Sequence, residues 1–207
     1  MTYLMKEWKE QSRGKGLWLG FSMIVIISLF ILLESRTLPS EHGFTMFLLS
    51  LYEMNMLLIP LISLFISSFA LMQEKELKTL LILTTKKESY VSFLIKKSWS
   101  IQVITIGLFA SWYLLLAILA KASLDFNGLH FLYFLITNTV LLIIFNQIGL
   151  FLGSICTHRM QLVGATIFTW FLFVFLIDLI FLYLLPWVND DNVPIFSVFF
   201  FLDPLHA

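Results

Sequence analysis

The stretch FTMFLLSLYEMNMLLIPLISLFISSFALM, residues 44–72, contains a single charged side chain, Glu53. Crossing the hydrocarbon core of a bilayer takes about twenty apolar residues, and at 1.5 Å per residue this stretch would measure roughly 43 Å. It is longer than a bilayer requires and lacks the polar face of a helix on a soluble domain. It therefore reads as a membrane-spanning helix, which Pro60 should bend or break because proline removes an amide donor from the helix interior.

Four further stretches on either side qualify by length and composition: 17–34, 100–120, 131–153 and 162–186. The whole chain agrees with them. It has 207 residues, of which only 13% are charged, where a soluble domain carries roughly a quarter. The mean hydropathy is +0.93. The fold class that follows is all-α: one polytopic transmembrane domain, residues 1–207, with five membrane helices.

Basic residues orient the helices, because cytoplasmic loops carry an excess of Lys and Arg. With the N-terminus inside, Lys6, Lys9, Arg13, Lys15, Lys75, Lys78, Lys86, Lys87, Lys96, Lys97 and Arg159 fall on the cytoplasmic side. Only Arg36 and Lys121 remain outside. The expected location is the bacterial cytoplasmic membrane, with residues 187–207 as an external tail. The apolar stretch after residue 16 is too long for the core of a signal peptide and lacks a small-residue cleavage site, so it stays as an anchor. The formal charge is zero, which gives no reason to expect a nucleic-acid partner. The single cysteine, Cys156, excludes an intramolecular disulfide.

Two polar segments flank the spans. Residues 1–16 place Leu4, Trp8 and Gln11 on successive turns beside four cations, the composition of an interfacial helix. The loop 73–99 carries both charge signs and sets Leu77, Leu80, Leu81 and Thr84 at helical spacing. A short amphipathic helix fits it, with Glu74, Lys75, Glu76 and Lys78 solvated and the leucines seated on lipid or on another protein.

The run Glu74-x-Glu76-x-x-Thr79-Leu80-Leu81-Ile82-Leu83, followed by Ser89 and Lys97, resembles the signature between the second and third helices of ABC-2 type permeases. Lys6-Glu7-Trp8-Lys9-Glu10 is similar to the elbow helix of that family. Residues 170–179 and Asp203-Pro204 resemble the permease subunit of nitrous-oxide-reductase maturation transporters. The resemblance implies a permease half of an exporter, acting as a homodimer or pseudo-dimer, whose ATPase is a separate cytoplasmic chain. It implies that Glu74, Glu76, Leu77, Thr79, Leu80, Leu81 and Leu83 form the coupling element that meets this ATPase. Lys78, Lys87 and Tyr90 stand where the family has Gly, Pro and Arg. A sixth helix expected from the family is missing before Ala207, which points to a fragment or truncated product. A non-transporting immunity, assembly or sensor protein is the alternative.

Within the spans, Glu53 and Asp178 are expected roughly 10 to 14 Å from the outer end. Holding a charge near mid-membrane costs about 2.5–3.5 kcal/mol, so both should face the bundle, a partner or a wet cavity. They either line a substrate path or hydrogen-bond neighbouring helices. Asn138, Asn146 and Gln147 share the fourth span with Gly149-x-x-x-Gly153, a pattern that lets another backbone approach closely. Met54 and Met56 could offer thioethers to a soft metal, but they diverge by about 200° on a helix. His42, His130, His158 and His206 are scattered, and no metal site is expected. There is no phosphate-binding G-x-x-x-x-G-K-[ST], and no H-E-x-x-H or G-x-S-x-G. Neither a cofactor nor a catalytic residue is expected.

Overall fold

The computed structural model describes residues 3–37, 40–76 and 90–184, and among these there is no strand. The helices are α1 (Tyr3–Arg13), α2 (Lys15–Ser35), α3 (Ser40–Glu76), α4 (Tyr90–Lys121), α5 (Gly128–Ile155), α6 (Arg159–Phe171) and α7 (Ile177–Leu184). A π-helical turn, Leu172–Leu176, joins the last two. Five helices are long and apolar enough to cross a membrane: Gly16–Ser35, Gly43–Glu76, Val91–Lys121, Gly128–Ile155 and Arg159–Leu176. The chain is thus a polytopic helical membrane protein, as hydropathy implies.

Both ends of the loop expected at 73–99 fall in helices, and residues 77–89 lie outside the described residues. α3 continues to Glu76 and α4 starts at Tyr90, so charged residues at both ends extend membrane helices. α3 also runs unbroken through Pro60. Membrane helices tolerate such a proline when packing and neighbouring hydroxyls support the turn. Here Ser63 Oγ donates to the carbonyl of Ile59 at 2.6 Å, and Ser67 Oγ to that of Ser63 at 2.6 Å. The breaks between helices are local. Gly14 is extended between α1 and α2, and the Asn127 side chain accepts the Leu129 amide at 3.1 Å to cap α5.

α3 is the hub, and its broadest interface is with α5. Of its most apolar window 56% is buried, against 11% for the last span. The expected role of Gly149 and Gly153 is visible in this seam. A Cβ on Gly149 would overlap the Ser67 hydroxyl and lie 2.8 Å from the Leu64 carbonyl oxygen; one on Gly153 would lie 2.8 Å from that of Ser68. Only glycine permits so close an approach. Away from the seam, Tyr113 and Phe134 meet edge-on at 5.2 Å, and Phe44 meets Phe126 at 5.1 Å. The Phe44–Phe126 contact lies at the end of the bundle opposite α1, and the Tyr113–Phe134 contact lies farther in.

Candidate functional site

Antiparallel threading brings α1, the end of α3, the start of α4, the end of α5 and the start of α6 to one end of the bundle. Most of the basic residues lie there, and it is called the basic end below. Its centre is Lys97, whose Nζ donates to Glu7 Oε1 at 2.8 Å and to Glu74 Oε1 at 3.1 Å. The three side chains are only 2%, 1% and 4% exposed. The knot pins α1 and α3 to α4, and its two carboxylates exceed its one ammonium by a single charge. Burying ions is costly unless they are paired and hydrogen-bonded. Yet Glu7 Oε2, both amide atoms of Gln11 and the Ser100 hydroxyl are buried without hydrogen-bond partners among the described residues. Gln11 lies one turn from Glu7 on the same face of α1, and Ser100 one turn from Lys97 on α4.

Two further links leave the same end of α3. Lys75 Nζ donates to the carbonyl of Cys156 at 3.0 Å and to that of Ser154. A cation there satisfies carbonyls that the end of α5 leaves free. Arg159, the first residue of α6, forms a two-point pair with the Glu76 carboxylate on the exposed surface. Consecutive residues of α3 therefore hold α1 and α4, then α5, then α6.

This differs from the expected solvated face. Glu74 is inside the bundle, because the end of α3 is surrounded by four other helices, whereas Glu76 is exposed as expected and pairs with Arg159. On α1 the inward residues are Glu7 and Gln11, while Trp8 is 44% exposed. Trp18 donates from Nε1 to the Ser12 carbonyl at 2.7 Å, clasping α1 to α2. Leu77, Thr79, Leu80, Leu81 and Leu83, the rest of the expected coupling element, lie outside the described residues.

Polar side chains within the spans join helices. Asn146 on α5 donates to Thr105 Oγ1 at 2.9 Å and to Gln102 Oε1 at 3.3 Å on α4. Gln147 donates to Ser98 at 2.6 Å. Asn138 turns back to its own helix, donating to the Phe134 carbonyl at 2.8 Å. Sequence reading did not find three further links: Tyr113 to Asn55 at 2.7 Å, Trp112 to Ser28 at 3.0 Å and Trp170 to the Leu57 carbonyl at 2.9 Å. Half-apolar side chains in apolar runs give no periodic signal, and only the opposite helix reveals their partner.

Of the surroundings expected for Glu53, the interior of its own bundle is not the one it meets. Its side chain is exposed on the chain's outer face, because helix periodicity puts it on the stripe of α3 that α5 and α2 leave uncovered. Asp178 belongs to α7, and its side chain lies outside the described set. Met54 and Met56 pack against the core. No group of three or more His, Cys, Asp or Glu among the described residues is placed to hold a metal. No family model matches the chain, and no curated protein matches it at a meaningful level of similarity.

Proposed function

We propose that this chain is the membrane-spanning permease subunit of an ABC-type exporter, in the bacterial cytoplasmic membrane with its basic end inside the cell. The lysine and arginine asymmetry supports that orientation. The observation that carries the reading is the wiring of the E-x-E stretch. Glu74 is joined through Lys97 to α4 and α1, and Glu76 through Arg159 to α6. Residues 77–89 join α3 to α4 along the chain, so a force applied to them enters the two helices to which these pairs are anchored. Closure of an ATPase dimer against Leu77, Thr79, Leu80, Leu81 and Leu83 would tilt α3 and α4 and carry α1 and α6 with them. Two such bundles rocking about their interface give alternating access. The chain's part is mechanical, and ATP hydrolysis belongs to the partner.

Retention of that partner is the test. Chain purified from its native membrane should carry a cytoplasmic ATPase, and Leu80→Asp with Leu81→Asp should lose it while the membrane protein stays folded. Equal retention by both forms would refute the proposed dock and favour a non-transporting role.

A further inference from the structure

Among the described residues, α1 rests mainly on α4 and α2. It turns two polar side chains inward, Glu7 and Gln11, one turn apart on one face. Of their four polar atoms only Glu7 Oε1 is paired, with Lys97 at 2.8 Å. Glu7 Oε2 and both amide atoms of Gln11 have no partner among the described residues. Polar atoms removed from water without partners oppose the contact that buries them. The seam therefore combines one ion pair that draws α1 onto α4 with three unpaired atoms that resist it.

The α4 side of this pair does not depend on α1. Lys97 Nζ also donates to Glu74 Oε1 at 3.1 Å, so its ammonium keeps a buried carboxylate when Glu7 leaves. Ser100, the unpaired group on α4, can turn its hydroxyl back to a carbonyl of its own helix. α1, for its part, has a second environment. Its outer face carries Met5, 57% exposed, and Trp8, 44% exposed, with Lys9 exposed beside them. Such a mixture of apolar and cationic side chains suits the headgroup layer, where Glu7 and Gln11 would regain water. The joint between the two positions is Gly14, extended at φ −71° and ψ 118°, with no side chain capping α2. A clasp spans it, the bond from Trp18 Nε1 to the Ser12 carbonyl at 2.7 Å.

We infer that α1 is a latch with two positions: docked on α4 through Glu7 and Lys97, or released about Gly14 into the headgroup layer while Lys97 stays with Glu74. Movement of α4 reaches α1 only in the docked position. The two positions belong to the chain alone; as a means of regulating coupling, the latch rests on the permease reading.

Glu7 and Gln11 act in opposite directions, and the test uses that. The full chain, in nanodiscs of phosphatidylcholine and phosphatidylglycerol with Cys156→Ser as background, carries spin labels at Met5→Cys and Met160→Cys, two exposed positions. Pulsed electron–electron distance measurements should give two populations. Gln11→Leu removes two unpaired atoms and keeps the ion pair, and should raise the docked-to-released ratio at least threefold. Glu7→Gln breaks the pair and should lower that ratio at least threefold, as should Trp18→Phe. A single population in wild type would overturn the latch, and so would equal populations in wild type and Glu7→Gln. A fall in the docked fraction on Gln11→Leu would overturn it too, since a water held in a fixed seam would then be pairing the amide. None of these outcomes alters ATPase retention, so the two readings fail separately.

Discussion

The two ends of the bundle treat charge in opposite ways. At the basic end, Glu7, Glu74 and Lys97 are withdrawn from the surroundings and bound to one another, Lys75 caps α5, and Glu76 holds Arg159. Toward the other end, Glu53 faces outward, and among the described residues α7 meets mainly the π-helical turn before it. The basic end pairs these charges within one chain and ties four helices to α3. The far half leaves a charge for something else to satisfy.

Breaking the knot should have the largest effect. Lys97→Met removes the cation shared by two buried carboxylates and should cost about 3–5 kcal/mol of stability, measured by unfolding in mixed micelles. Adding Glu7→Gln and Glu74→Gln to that variant should recover most of the loss. If the single variant unfolds like wild type, the knot is not a structural tie. The far half should respond with the opposite sign. Glu53→Leu should favour membrane insertion by about 2–3 kcal/mol, read in a translocon insertion assay on the isolated segment; unchanged insertion would mean that the carboxylate is not in hydrocarbon. The smallest effect belongs to the exposed pair. Arg159→Ala should leave the unfolding midpoint unchanged, and salt should not alter that result, because exposed pairs contribute little and are screened.

Much of the fold was legible because it depends on length and composition. Five apolar stretches became five spans, and Gly149-x-x-x-Gly153 became the tight seam with α3. The faces were not legible. α5 is apolar nearly all round, so its sequence does not say that Phe145 and Asn146 turn inward while Ile143 turns out. Nor could the knot be read, since Lys97 meets partners 23 and 90 residues away. In a single sequence, Lys96 and Lys97 look like two solvated loop cations, and only the crossing of α1 over α4 distinguishes them. Nor was the face that carries Glu53 legible. The rule that charges in membranes face inward describes a finished environment, whereas helix periodicity alone decides which way position 53 points.

The central claim is that the basic end transmits work from a separate ATPase. Its most direct test is ATP hydrolysis by the chain purified from native membranes with its bound partners. Wild type should show magnesium-dependent hydrolysis that disappears in the Leu80→Asp, Leu81→Asp variant at equal yield of the membrane subunit. A wild-type preparation without hydrolysis, or a variant with undiminished hydrolysis, would contradict it.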